Sequence, residues 1–206
     1  SYDNQYGTLP PDSYASVSIA DEEEACRAVT ELYRCGHRRI AALVSGTEDR
    51  SISQLRYQGY VRALAAHGLP LEQELVIEAG SFDIRQSYLA MQRRLLAGAQ
   101  FTALFAISDN MAIGAMRALR EAGRRIPEDC SVIAIDGLTI SDYINPTLTT
   151  LCQPMEHMGR RSVEILLDMV EHRGGPIRET AHTTLRTGES VRDISKFFRR
   201  KPPEKY

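Results

Sequence analysis

The four cysteines of this chain, Cys26, Cys35, Cys130 and Cys152, form no CxxC pair and have no histidine at metal-ligand spacing. Free buried thiols in a reducing cytoplasm fit that pattern better than zinc or disulfides, and neither a metal nor a cofactor is expected. Long hydrophobic runs are also missing: no stretch is long enough to span a membrane, and no signal-peptide pattern stands at Ser1. Charge of one sign is not in excess, since 25 Lys and Arg against 27 Asp and Glu leave a net charge of -2. No global attraction to nucleic acid follows from that balance. The one local basic run, SKFFRRKPPEKY with Lys196, Arg199, Arg200, Lys201 and Lys205, reads as a solvated tail over residues 195–206.

Catalytic signatures are missing as well. No GxGxxG follows a strand, and neither GxxxxGK[ST] nor GxSxG occurs. The five histidines lie outside the loops where a site would form: His37 follows a helix-ending glycine, His67 and His172 stand near helix ends, His157 faces solvent or a subunit contact, and His182 begins a strand. An acid–base pair would have to be Asp109 with Asp136, and nothing in the sequence favours it.

What is present is regular alternation. The 206 residues, 43% hydrophobic and 25% charged, suffice for one ordinary domain or two small ones. A polar loop over 1–16 leads to a short strand at 17–19. A helix follows with Asp21, Glu22, Glu23 and Glu24 in its first turn, an apolar stripe of Ala25, Ala28, Val29 and Leu32, and Gly36 as its stop. Apolar strands at 40–44, 75–79, 103–107 and 131–135 then alternate with helices at 54–67, 84–96 and 111–122. That rhythm predicts right-handed βαβ units and a parallel sheet. Beyond Gly137 come a helical turn within 138–146, a strand at 148–152, a helix at 156–171 and a last strand at 183–186.

In an open parallel sheet ligands bind beyond the carboxyl ends of the strands. The residues there are Ser45, Asp49 and Arg56 after the first strand of the alternation, Phe82 and Asp83 after the second, Ser108 and Asp109 after the third, and Asp136 after the fourth. Acids, a hydroxyl, a guanidinium and an aromatic face together suit a polyol or sugar. Each also has an ordinary structural reading. Ser108 or Asp109 makes a good N-cap, Asp136-Gly137 a turn, Arg56 a surface ion pair, and Phe82 a core residue.

The segments CGHRRIAALVSG, RYQGYVRALAAHGL, TALFAISDNMAIGAMRALREAGRRIPEDCSVIAIDG and NPTLTTLCQPMEHMGRRSVEILL resemble, in order and spacing, the effector-binding region of the LacI/GalR family of bacterial transcription regulators. The resemblance covers roughly residues 17–192. It implies an α/β fold of the periplasmic-binding-protein-like type I class, with parallel sheets flanked by helices and two subdomains crossed three times by the chain. On that template residues 1–36 and 153–181 belong to an incomplete N-terminal subdomain, and 37–152 and 182–194 to the C-terminal one. It implies effector contacts at Arg56, Phe82, Ser108, Asp109, Asp136 and Met155. It also implies a cytoplasmic homodimer without enzymatic activity, its dimer surface including the outer face of the 111–122 helix, Met116 and the 140–143 turn. A small-molecule effector, a carbohydrate or related metabolite, would modulate operator DNA binding.

Three positions depart from the family pattern. Ser108 stands where Asn is usual, Gly137 where a second Asp is usual, and Ala20 where Asp or Asn is common. These changes remove polar groups expected of a standard hexose site. The family's helix-turn-helix and opening βα units do not precede Ser1, so the chain is expected to be part of a longer repressor, with weak or absent effector affinity by itself. A transport-type sugar-binding protein and an α/β enzyme using Asp109 or Asp136 are the rival readings.

Overall fold

The computed structural model describes residues 14–47 and 52–198, without the side chains of Phe197 and Phe198. The order is β1 (Ser16–Ile19), α1 (Asp21–Arg34), β2 (Ile40–Val44), α2 (Ile52–Ala66), β3 (Val76–Glu78), α3 (Ile84–Leu96), β4 (Ala103–Ala106), α4 (Asp109–Glu121), β5 (Ser131–Asp136), β6 (Thr149–Cys152), α5 (Met155–Val170), β7 (Arg178–Ala181), β8 (Thr184–Arg186) and α6 (Ser195–Phe198). The alternation expected from the sequence is present. A 3-10 turn at Thr139–Asp142 occupies the expected place after β5.

Six strands form one sheet in the order β3-β2-β4-β5-β6-β8, parallel except for β8, which runs antiparallel to β6. β2 and β4, with sequences IAALV and ALFA, are buried along their whole length because helices cover both faces. The chain leaves β2 first toward β3 on one side and then toward β4 on the other. The gap between the carboxyl ends of β2 and β4 is thus the topological switch point of the sheet.

A separate two-stranded sheet pairs β1 with β7 in parallel, Ser16 opposite Arg178 and Ile19 opposite Ala181. α5 packs on β1 and is tied to β7 by Arg161, whose Nε donates to Glu179 at 2.7 Å. β7 was not expected. Its RETA sequence lies on a mostly exposed strand and carries no apolar alternation to mark it. Only Met158 and Ile165 of α5 are buried, while Val163, Leu166, Leu167 and Val170 are exposed.

Three sequence expectations change. α1, placed with the N-terminal subdomain, packs along α2 and against β4, β5 and β6, so it is part of the larger body. The physical reason is its apolar stripe: Ala25, Ala28, Val29 and Leu32 are all buried there. Met116, offered as a dimer-surface residue, is 1% exposed and belongs to the core; Ile140 is exposed as expected. The start of the 195–206 tail folds as α6. Ile194 N–H donates to the Cys35 carbonyl at 2.7 Å, and the Ser195 backbone lies so close to Gly36 that a Cβ there would stand 2.6 Å from Ser195 N. Residues 199–206 and Asp49 lie outside the described residues, as does the opening segment 1–13.

His37 fixes the same corner. It is buried, its Nδ1 is 3.0 Å from Thr102 Oγ1 and its Nε2 is 3.2 Å from the Arg192 carbonyl. Burial lowers its pKa, outweighing the bond to Arg192. A histidine kept neutral by the fold binds a proton more readily when unfolded. Stability from this group is therefore complete above the ordinary histidine pKa of about 6.5 and declines as pH falls below it, down to the lowered folded value. Urea unfolding of wild type and His37→Gln across that range is expected to show a downward slope on acidification in the wild type alone, once the slope common to both is subtracted.

Candidate functional site

At the switch point a single guanidinium gathers four chain segments. Arg56 projects from the first turns of α2 and is only 3% exposed. Its Nε donates to Asp21 Oδ1 at 2.7 Å, and its Nη1 donates to the Ile107 carbonyl beyond β4 and, at 3.2 Å, to Oδ1 of Asp136, the last residue of β5. Gln153, beyond β6, donates from Nε2 to the same Asp136 oxygen at 2.8 Å. Arg56 is thus neither a surface ion pair nor an isolated ligand residue; it closes a buried network. A carboxylate on each side neutralises a cation that would otherwise be expensive to bury.

Asp136 reaches the solvent, with 22% of its side chain exposed, and Gln153 beside it is also partly exposed. The Asp136 backbone has φ of 141°, a conformation that side-chain-bearing residues rarely adopt. Strain of this kind persists where surrounding contacts hold it, and functional clefts are where it concentrates. Here the holding contacts are Arg56, Gln153 Nε2 and the Gln153 N–H, which donates to the Asp136 carbonyl at 3.0 Å. Burial raises the Asp136 pKa, and the neighbouring Arg56 charge opposes that rise.

Asp109 behaves differently from the expectation. It is fully buried, its Oδ1 accepting from Thr150 Oγ1 at 2.6 Å and its Oδ2 from Leu138 N–H and Ser141 Oγ, both at 2.7 Å. Burial raises its pKa while the three donors oppose the shift. Both oxygens are occupied within the protein, so Asp109 organises the β5–β6 connection instead of presenting an oxygen to a ligand. The helix cap is Ser108, whose Oγ accepts from Met111 N–H at 3.3 Å. Ser108 is itself buried. The choice between Ser108 and Asp109 as cap is thereby settled, and the pair acts structurally first.

Phe82 and Met155 sit on exposed ground at the carboxyl edge, Phe82 between β3 and α3 and Met155 at the first position of α5. Neither packs in the core. The structure therefore brings Arg56 and Asp136 together, sets Ser108 and Asp109 behind them, and leaves Phe82 and Met155 at the margin. Asp21 and Gln153 were missed. Asp21 looked like one of four first-turn acids, and Gln153 carried no charge to draw notice.

Gly137 also has a local reason. Its φ is 76°, and a Cβ there would lie 2.5 Å from Cys152 Sγ and 2.6 Å from Cys152 Cα. Glycine is required by the approach of β6, so its place in the sequence reflects packing and not adaptation to a ligand. The lost polar group at Ala20 has a neighbour in compensation, since Asp21 supplies a carboxylate one residue later.

The family model for a periplasmic binding protein-like domain matches residues 29–191. The regulator CelR of Thermobifida fusca is 34% identical over 185 residues, 90% of this chain and 53% of that protein. The repressor PurR of Vibrio cholerae is 34% identical over 189 residues, 91% of this chain and 56% of that protein. Among solved structures, a CelR–cellobiose complex superposes with a TM-score of 0.82 at 34% identity, covering 89% of this chain and 56% of that one. A LacI-family regulator from Sanguibacter keddieii gives 0.82 at 32% identity, covering 88% and 68%. The chain spans about half the length of the curated relatives it matches. With this fold and this similarity, the chain belongs to the LacI/GalR family of transcriptional regulators, its residues 29–191 matching a periplasmic binding protein-like domain.

Proposed function

We propose that this region senses a small-molecule effector, a carbohydrate or related metabolite, and that the protein containing it regulates transcription through a separate DNA-binding domain. The observation that carries this reading is the Arg56–Asp136–Gln153 network at the switch point, where a strained, partly exposed carboxylate ends a buried hydrogen-bond chain. The effector lies between the six-stranded body and the portion built on β1, β7 and α5, which represents the first subdomain. Asp21 and Gln153 stand at two of the passages between these parts. A ligand that favours one arrangement of them alters DNA affinity through its unequal contacts with the two arrangements.

The reading includes no catalytic step, because Asp109 is fully buried and held by three donors of the β5–β6 connection, out of reach of a substrate. It includes a homodimer. Ile84 lines a groove between α3 and α4 with Tyr88, Leu89 and Arg117, and Ile140 and Tyr143 are exposed elsewhere on the surface, which offers apolar contacts beside charged ones. CelR and PurR are transcriptional regulators by name, and a CelR structure contains cellobiose. The test uses the intact coding sequence. Fluorescence anisotropy on DNA from its own upstream region, repeated across a sugar panel, is expected to show a shift of about 5- to 150-fold in affinity with one compound. DNA affinity indifferent to every sugar, or no DNA binding, would remove the proposal.

A further inference from the structure

The chain passes three times between the six-stranded body and the part built on β1, β7 and α5, and every passage is short. Ala20 separates β1 from α1, Gln153 and Pro154 separate β6 from α5, and His182 and Thr183 separate β7 from β8. At each passage one side chain is tied to the body: Asp21 to Arg56, Gln153 to Asp136, and Thr183 to Glu24 of α1. One residue per passage is left to turn. Ala20 (φ -81°, ψ 76°) and Pro154 (φ -79°, ψ 65°) share the inverse γ-turn conformation, closed at Pro154 by Met155 N–H donating to the Gln153 carbonyl at 2.9 Å. The third, His182, is exposed.

The tie at Thr183 shares no residue with the Arg56 network. Thr183 Oγ1 donates to Glu24 Oε2 at 2.7 Å and accepts from Arg27 Nη2 at 3.0 Å, and Arg27 Nη1 pairs with the same Glu24 oxygen at 3.1 Å. The three side chains close a ring. Thr183 is buried, and 8% of the Glu24 side chain is exposed against 44% of Arg27. Moving Thr183 away would leave a buried carboxylate with one half-exposed partner, and bonds to a charged group count for about twice a neutral one. Resting on the effector-domain reading above, we infer that Glu24, Arg27 and Thr183 form a lock on the third passage. The lock resists turning about Ala20, Pro154 and His182, and so sets the sensitivity to effector without touching it.

Native-state hydrogen exchange on residues 1–206 reads the lock with neither sugar nor DNA present. Thr183→Val keeps the branched shape and removes only the hydroxyl. It is expected to speed exchange of the β1 and β7 amides about tenfold while the Phe105 amide in β4 keeps its rate. Thr183→Ser, which restores the hydroxyl, is expected to exchange as the wild type does. Unchanged β1 and β7 rates overturn the inference. So does equal acceleration at Phe105, the mark of a merely global loss, or a Thr183→Ser protein that behaves like Thr183→Val. Should Thr183→Val not fold, Arg27→Met at the rim of the ring decides by the same measure. In the intact regulator on its own upstream DNA, Thr183→Val is expected to shift the midpoint of the response about tenfold when ribose, glucose, galactose and cellobiose are titrated in turn. An unshifted midpoint overturns the regulatory role. A wild type that answers to no sugar overturns the effector reading instead, and the exchange rates still decide the lock.

Discussion

Arg56→Met is expected to lower the unfolding free energy by about 3–5 kcal/mol, the usual cost of leaving a buried charge without its partner. In a domain of this size that corresponds to a fall in melting temperature of about 10 °C. The reason is local. Asp21 is 9% exposed and Asp136 lies beside it across the guanidinium, so removing Arg56 strands one carboxylate completely and the other in part. Methionine fills much of the vacated volume, which confines the loss to the electrostatic and hydrogen-bonding roles. Arg56→Lys keeps the charge but not the planar fork that serves Asp21, Ile107 and Asp136 at once, so an intermediate loss is expected. Adding Asp21→Asn to Arg56→Met is expected to recover part of the stability. Urea denaturation followed by circular dichroism measures all three; a change below about 1 kcal/mol for Arg56→Met would show that the network is not what holds these carboxylates.

Gly59→Ala is expected to destabilise by about 3 kcal/mol, at the upper end of ordinary overpacking. Helix propensity alone gives the opposite sign, since alanine is favoured over glycine inside a helix by about 1 kcal/mol. The difference lies in what the glycine touches. A Cβ at Gly59 would press on the Glu22 carbonyl, and would stand 2.7 Å from Ala25 Cβ and 2.9 Å from Cys26 N. α1 and α2 cross there with no room for a methyl group. The same contact sets Asp21, one residue before Glu22, within 2.7 Å of Arg56, one turn before Gly59. Forcing the helices apart therefore loosens the ion pair as well. Gly159→Ala in α5 is the control: nothing stands within 4 Å of the added carbon, and a gain of about 0.5–1 kcal/mol is expected. Thermal and urea unfolding of the two variants should move in opposite directions.

The elements of the larger body were legible because they are long, apolar and regularly punctuated. IAALV is a buried strand on inspection, and DEEEACRAVTELYR announces both its first turn and its buried face. β7 was not legible, because a short strand that is mostly exposed leaves no periodic mark and exists only through its pairing with β1. The site was legible as a location and less so as a set of roles. The sheet-edge rule picked out Arg56 and Asp136, which the structure brings into contact. It could not separate Asp109 from Asp136, since both are acids just past a strand; burial and three donors from the β5–β6 connection make the first structural. Nor could it find Gln153 and Asp21, whose importance depends on the side chains they meet across the fold. Gly137 teaches the same lesson, its reason being a cysteine on the next strand.

The pairing of β1 with β7 has a kinetic meaning. These strands lie far apart in the chain, with five of the six strands of the larger sheet between them. Closing so long a loop is costly until the intervening segments have condensed. The body, rich in successive βαβ units, can assemble from near neighbours and then deliver Ile19 and Ala181 to the same place. The small sheet is thus expected to be the last part of the described chain to form and the first to open, which hydrogen exchange at Ser18 and Thr180 would show as the earliest loss of protection.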